Sequence, residues 1–369
     1  MRPTFAEINC SNLKYNFLNI KKKVKSSKIM AVVKADAYGH GMIECVRALK
    51  TLGDKKPDYY AVALLEEALE LRKAGIKDPV LVFAPVLEDE AAAYLKYNIL
   101  PTVFSSDHID YLKKAGKNKK IKVHVKIDTG MGRLGITHNL APDFIKKITA
   151  ENIVVDGLYT HFATSDELDK TYAQIQLQRF REILEVLKAD GVNYGLAHCA
   201  NSGAILDMPE SYLDMVRPGI ALYGYYPSME TSGSIKLKPV MSIISHITNI
   251  KEIEAGGSVS YGRKFIAPFR TRIATVSVGY ADGYARGLSN KAEVIIRGKR
   301  FEQIGQVCMD RIMINLGKEN NIKENDRVVL LGKDKKNEID AWEWAKALNT
   351  IPYEITCNIS KRVPRFYIE

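Results

Sequence analysis

The densest chemistry in the chain lies in Val32-Val33-Lys34-Ala35-Asp36-Ala37-Tyr38-Gly39-His40-Gly41. The apolar run from Ile29 to Val33 reads as a buried strand that stops at a lysine. A turn follows, with Asp36 and then glycines on either side of His40, and after it Ile43, Val46 and Leu49 recur at helical spacing. The Lys34 amine therefore falls just past the C-terminal end of a strand. A lysine whose pKa is depressed there acts as an imine-forming nucleophile. Taken by itself, Lys34 reads as a solvated lysine at a strand end. Other polar groups recur in the same kind of place. Lys126, Asp128 and Arg133 fall in KIDTGMGRLG, His161 in YTHFATSD, Ser202 in Asn201-Ser202-Gly203, and Arg217, Gly219 and Ile220 in RPGIALYG.

The elements that would carry these groups alternate strand and helix with short joints. Strands are expected at Ile29–Val33, Tyr59–Ala63, Pro79–Ala84, Leu100–Phe104, Ile121–Ile127, Ile153–Tyr159, Tyr194–His198 and Met215–Tyr223. Helices fall between them at Leu64–Ala74, Glu88–Tyr97, Asp107–Ala115, Pro142–Ala150 and Asp169–Lys188. In the last of these Phe180, Ile183, Leu184 and Leu187 mark one face. Eight strand–helix units in roughly 200 residues suit a closed (β/α)8 barrel of the TIM type. An open doubly wound sheet is the alternative, and it would normally carry GxGxxG after its first strand, which is absent here. Barrel enzymes place their chemistry at the C-terminal ends of the strands, which is where the polar groups above fall. Ser202 would offer a hydroxyl and helix N-terminal N–H groups to an anion, or simply cap its helix. Gly219 would admit close backbone approach. On its own His161 reads as a satisfied core histidine; Arg217 could be a surface ion-pair partner and Arg133 a loop arginine.

From about Ser234 helical spacing gives way to β-rich runs: Val240–Ile250, Arg272–Gly279, Glu293–Arg297, Gln303–Ile314 and Arg327–Leu331, with one helix at Asp340–Leu348. Ala274, Val276 and Val278 alternate with Thr275 and Ser277, as a half-buried strand requires. The expected division is a barrel over 10–233 and a mostly β domain over 234–369, with which residues 1–9 could associate. The run from Ser228 to Ser234 serves as linker.

Composition narrows the class. The 369 residues are 46% apolar and 26% charged, as in ordinary globular proteins. The net charge of +11 is spread over short lysine runs, without a nucleic-acid-reading signature, and nucleic acid is not an expected partner. Five scattered cysteines with no CxxC spacing indicate neither a metal site nor a disulfide framework. The absence of a signal-like h-region or membrane-length apolar run makes the cytoplasm the default expectation.

The run AVVKADAYGHG resembles the cofactor-lysine signature of the alanine racemase family, which uses pyridoxal 5'-phosphate (PLP). KIDTGMGRLG, THFATSD, RPGIALYG, SVSYGR, VGYADGY, QVCMD and ISKRVPR resemble further segments in the family's order. The resemblance implies that Lys34 binds PLP covalently and that Tyr38, Ser202, Gly219, Ile220 and Tyr353 hold its phosphate. It implies Arg217 at the pyridine nitrogen, His161 beside the ring and Tyr261 as the second acid–base. Arg133, Tyr280 and Met309 would contact the substrate, Met309 through its backbone. Lys126 matches a lysine that some members carry carbamylated to orient the arginine. The family's head-to-tail homodimer implies that Tyr261, Tyr280, Met309 and Asp310 complete the partner's site. The implied reaction interconverts L- and D-alanine, an isomerisation that supplies D-alanine for peptidoglycan and the cell wall.

Those residue types suit racemisation. A proton must leave Cα on one side and return on the other, so two bases on opposite sides, Lys34 and Tyr261, avoid a single base that swings across. Tyrosine ionises near 10 unless a cation is close, and His161 and Arg133 are candidates for that cation. Arginine stays charged, so Arg217 disfavours protonation of the pyridine nitrogen and would limit side reactions such as transamination. Racemases for serine or a basic amino acid, and a PLP barrel decarboxylase, are the competing enzymes. The decarboxylases usually place a glutamate near the pyridine nitrogen and a cysteine in a CESxD-like run, and this chain has neither feature. A small PLP-binding homeostasis protein would lack residues 234–369.

Overall fold

The computed structural model describes residues 3–116, 120–151 and 153–369, which form two compact units. One comprises Lys14–Ala37 and Met42–Leu237. The other comprises the chain up to Leu13, the short segment Tyr38–Gly41, and Lys238–Glu369.

In the first unit eight parallel strands follow one another around a near-closed barrel: Lys28–Val32, Tyr59–Val62, Val80–Pro85, Leu100–Val103, Ile121–Asp128, Ile153–Tyr159, Leu196–His198 and Met215–Val216. The last pairs with the first, Met215 opposite Lys28. Between the last two strands the ring is bridged by Asp214 N–H to Ala197 O at 3.1 Å and Arg217 N–H to Ala200 O at 2.8 Å. Helices cross over on the outside. The Thr171–Ala189 helix buries Ala173, Leu177, Phe180, Ile183 and Leu187, the stripe that its 3.6-residue period puts on one face.

The barrel interior departs from the branched-aliphatic filling usual in this architecture. In the Ile121–Asp128 strand, Lys122, His124 and Lys126 share one face by the two-residue period. His124 meets Tyr59, from a strand that is not its neighbour, edge-on at 6.3 Å. Thr102 and Tyr159, also on non-adjacent strands, are hydrogen-bonded at 2.8 Å. These side chains must therefore point inward.

Two expected elements are shorter than the pattern suggests. The eighth strand ends at Val216. Pro218 has no N–H to give a ladder, and after Gly219 (φ −113°, ψ −100°) the chain winds into a 3-10 turn at Ile220–Tyr223. The helix after the third strand spans only Ala91–Lys96.

The second unit holds a nine-stranded sheet in the order Asn337–Ile339, Arg327–Asp334, Glu293–Ile296, Lys299–Ile304, Ile312–Gly317, Thr271–Val276, Met241–Ile253, Phe5–Asn9, Arg365–Ile368. The Met241–Ile253 strand also pairs with Arg327–Asp334, which closes the middle of the sheet on itself. Pairings are antiparallel except Phe5–Asn9 with Arg365–Ile368. The run Gln303–Ile314, expected as one strand, is divided. Gly305 turns the chain at φ +71°, where a Cβ would come within 2.9 Å of Val259 O, and the next strand starts at Ile312. Helices Ala341–Leu348 and Pro352–Cys357 complete this unit.

Candidate active site

Lys34 follows its barrel strand by two residues and opens an unusual turn. Ala35, Asp36, Ala37 and Tyr38 all have φ between 51° and 55°, a left-handed helical turn built without glycine. Each such residue costs about 1–2 kcal/mol, so the surroundings must hold the turn in place. Glu67 accepts from Ala35 N–H at 2.5 Å through one oxygen, and from Ala63 and Leu64 N–H at 2.8 and 3.1 Å through the other. Asp36 accepts from Met42 N–H at 2.7 Å. The half-buried Lys34 is thus carried on a strained, well-anchored segment.

Lys126 and Arg133 come from one strand and its loop. Asp128 ties that loop down by accepting from Gly130 and Gly132 N–H at 2.9 and 3.1 Å. Gly135 (φ +124°) fits where a Cβ would lie 2.7 Å from Asp128 N. Lys126 is buried, its ammonium 4.6 Å from the centre of the Tyr159 ring. Burial first, then Arg217, Arg133 and Lys34, bring its pKa down to about 7 against the pull of Asp128.

Arg217 is buried just past the end of the eighth strand, also against Tyr159, with its guanidinium carbon 5.4 Å from the ring centre. One terminal nitrogen donates to His198 Nδ1 and His198 O, both at 2.9 Å. The other donates to Thr160 O at 2.7 Å and Cys199 O at 3.2 Å, with His161 Nδ1 at 3.3 Å. Its partners are carbonyls and imidazoles, and among the described residues its Nε–H meets no acceptor. His161 is pushed well below the usual histidine range by burial, then by Arg217, Lys126, Arg133 and Lys34. It is neutral near pH 7, so the cation expected of it in the sequence reading is not available, and of the two candidates only Arg133 carries charge.

Ser202 opens the Ser202–Asp207 helix, and Asn201 Oδ1 caps Ala204 N–H at 3.1 Å. The Ser202 hydroxyl accepts from Gly219 and Ala221 N–H at 2.9 and 3.3 Å, which draws the seventh and eighth strand loops together. The first N–H groups of this helix and of the Ile220–Tyr223 turn have no intrahelical acceptor by construction.

The remaining residues belong to the β unit. Tyr38 and Tyr353 stand with ring centres 5.9 Å apart. Tyr38 ends the left-handed turn, and Gly39 (φ +84°) fits where a Cβ would meet Thr356 O at 2.1 Å. Tyr261 follows Ser260 (φ 68°), whose hydroxyl donates to Gln306 O at 2.6 Å, and its side chain is 72% exposed. Tyr280 and Met309 lie on facing segments joined by Tyr280 N–H to Cys308 O and Ala281 N–H to Met309 O, both 3.1 Å. Both side chains are exposed.

Sequence reasoning passed over Thr102, His124, Tyr159 and His198, which line the same interior. The available signal was a polar or ionisable residue within an otherwise apolar strand, as in IKVHVKID and GLAHC.

Lys126 and Arg217 are buried in the barrel, with half-buried Lys34 and exposed Arg133 near enough that, after burial, the repulsion of these cations is part of what depresses Lys126. Such a site fits an anionic ligand. A lysine on an anchored turn, a serine with helix-start N–H groups, and a guanidinium with one donor to spare fit PLP in particular: an aldehyde, a phosphate and a ring nitrogen.

Models of the alanine racemase N-terminal and C-terminal domains match residues 8–227 and 240–367. The chain is 46% identical to alanine racemase 2 of Caldanaerobacter subterraneus subsp. tengcongensis, covering 100% of this chain and 95% of that one. Among solved structures, alanine racemase of Clostridium difficile 630 superposes with a TM-score of 0.93 at 40% identity, covering 100% and 96% of the two chains. The Bacillus anthracis alanine racemase with bound L-Ala-P gives 0.92 at 36% identity, with the same coverage.

Proposed function

The chain belongs to the alanine racemase family, and from that premise we propose how its residues divide the work. It is a PLP-dependent isomerase that interconverts L- and D-alanine. When bound, PLP draws electron density away from the substrate Cα, so that its proton can be transferred.

Lys34 would hold the cofactor through its amine and, as a free amine, would move a proton at the substrate Cα from one side. Tyr261 of the partner subunit moves the proton on the other side. Tyr38, Ser202, Gly219, Ile220 and Tyr353 bind the phosphate. His161, held neutral, packs beside the ring without adding charge. Arg133, Tyr280 and Met309 bind the amino acid. The observation that best supports this assignment is Arg217: its terminal nitrogens are saturated by His198, Thr160 and Cys199 while Nε–H keeps a donor for the ring nitrogen. A donor that is always charged keeps that nitrogen an acceptor.

The working form is a homodimer with shared sites, supported by the exposure of Tyr261, Tyr280 and Met309. No helix among the described residues is long and apolar enough to cross a membrane. The reaction serves peptidoglycan synthesis in the cytoplasm. Purified holoenzyme incubated with each L-amino acid in turn, with the enantiomers resolved, should yield D-alanine fastest. Faster production of another D-amino acid would reassign the substrate, and no racemisation of any would overturn the reading.

A further inference from the structure

The distances behind Arg217 are consistent with one set of proton positions in the unaltered chain. A guanidinium only donates, so the Nδ1 of His198 that it meets at 2.9 Å must be bare. His198 is neutral, pushed well below the usual range by burial and then by Arg217, His124 and Lys126. Its proton therefore sits on Nε2, which lies 3.0 Å from His124 Nδ1. That nitrogen must in turn be bare. His124 is also lowered, by burial against the pull of Asp156, so its single proton is on Nε2. This last N–H is fully buried and has no hydrogen-bond partner. What it faces is Asp156 Oδ2 at 3.9 Å, too far for a hydrogen bond and close enough for the carboxylate charge to act on the N–H dipole.

Two local features put that carboxylate there. Val123 pairs with Val155 and the next residue, His124, with Gly157, so Asp156 is the extra residue of a bulge. Bulges re-aim side chains in this way. Gly157 leaves room for the imidazole: a Cβ there would lie 2.5 Å from His124 Cε1 and 2.6 Å from Nδ1. The other groups against the column are Tyr59, edge-on to His124, Tyr159, stacked on His198 with ring centres 5.0 Å apart, and Lys122, 3.0 Å from Asp156. The His124 N–H dipole first, and then the Lys122 ammonium, outweigh partial burial and hold the Asp156 carboxyl below the usual carboxylate range, so it is ionised near neutral pH.

We propose that Asp156, His124 and His198 form a positioning relay down the barrel interior, in which the carboxylate at one end and the guanidinium at the other together favour the Nε2–H tautomer of both imidazoles, so that without the carboxylate the bare Nδ1 that orients Arg217 is held from one end alone. The relay rests on the reading that Arg217 serves the pyridine nitrogen. It explains how a buried guanidinium is aimed without a carboxylate of its own: the compensating charge lies two imidazoles away. With Asp156 gone, the buried His124 N–H loses its only compensation, and the alternative tautomer, Nδ1–H on both rings, would set a donor against the guanidinium.

The test is nitrogen-15 histidine NMR on the holoenzyme, with the His124 and His198 signals assigned by substituting each ring. Both should be neutral with bare Nδ1 in the unaltered protein. A proton on His198 Nδ1, or a doubly protonated ring, overturns the relay without any variant needing to fold. In Asp156→Ala the Nδ1–H tautomer should become populated and kcat should fall roughly tenfold with KM for alanine nearly unchanged, as misorientation of a distant support would produce. Asp156→Asn, which keeps an acceptor oxygen, should recover much of the lost kcat. Tautomers that stay fixed in Asp156→Ala refute the relay, and tautomers that shift while kcat stays put refute its coupling to Arg217. In both cases racemisation by the unaltered enzyme leaves the proposed function standing.

Discussion

The Lys126 ammonium stands 4.6 Å over the ring of Tyr159, inside the barrel and among three other cations. A cation over an aromatic face is ordinarily stabilising. Here burial and the neighbouring Arg217, Arg133 and Lys34 win, and the amine titrates at about 7.

That displacement has a signed consequence for stability. An unfolded lysine titrates near 10.4, so between about 7 and 10.4 the unfolded chain binds more protons than the folded one. Folding stability should therefore rise with pH across that window, because below it the folded protein must carry Lys126 charged. Apoprotein with PLP removed should gain stability over Lys126→Met between pH 6.5 and 9, by a few kcal/mol at most, as read from urea unfolding. A difference that is flat with pH would show that Lys126 titrates normally.

An amine that is about half neutral near pH 7 is also open to carbon dioxide. With carbon-13 bicarbonate, the holoenzyme should show a carbamate carbonyl resonance that Lys126→Met lacks. If the signal persists in the variant, the modified group is elsewhere and Lys126 remains an unmodified amine facing Tyr159.

Borohydride treatment of the holoenzyme should fix the cofactor to the peptide containing Lys34, with loss of activity. The strained turn after Lys34 makes a further difference readable. Glu67→Gln should weaken the acceptors that hold Ala35, Ala63 and Leu64 N–H, and should slow labelling more than it lowers the melting temperature. Label on another lysine would overturn the assignment.

The barrel was legible because its strands are short apolar runs separated by amphipathic helices, and both periods survive in the sequence. The Ile153–Tyr159 strand has the bounds that the pattern predicts. What was not legible depended on long-range geometry. Pro218 and Gly219 cut the eighth strand short, although Ile220–Tyr223 is as apolar as a strand. The left-handed turn at Ala35–Tyr38 has no glycine to announce it, and it is tied down by side chains from elsewhere in the chain and its own: Glu67 accepts from Ala35 N–H and Asp36 accepts from Met42 N–H. The charge states of His161 and Lys126 follow first from burial and then from the cations brought near them, which no local pattern carries. The polar column of His124, His198 and Tyr159 is spread over three strands, and each residue alone resembles an isolated core polar group.

Gly157→Ala tests how tightly that column is fitted. The added methyl would meet the His124 ring well inside van der Waals contact, and neither Tyr59 nor His198 leaves it an empty side. Overpacking of this kind costs about 1–3 kcal/mol. The expected result is a lower midpoint in urea with unchanged slope, together with reduced kcat. His124→Ala in the same chain should restore part of the stability by making room. If the double variant is no more stable than Gly157→Ala, the methyl clashes elsewhere and the fit between Gly157 and His124 is not what the glycine serves.

Shared sites make the sharpest prediction for the assembly. Lys34 belongs to the barrel unit, while Tyr261 belongs to the β unit, where its side chain is 72% exposed. If each site takes Lys34 from one subunit and Tyr261 from the other, Lys34→Ala and Tyr261→Ala homodimers should each be nearly inactive. Mixed under conditions that let subunits exchange, they should regain activity. A hybrid dimer has one site with both residues intact and one with neither, and random pairing makes half the dimers hybrid. The mixture should then reach roughly a quarter of the activity of the unaltered enzyme. Differently tagged subunits, purified through both tags, should give hybrids with about half of it. Within those hybrids, Cα–H exchange into heavy water should proceed from both enantiomers, because the intact site holds both bases. Tagged hybrids that form and remain inactive would show that Lys34 and Tyr261 must act from the same chain.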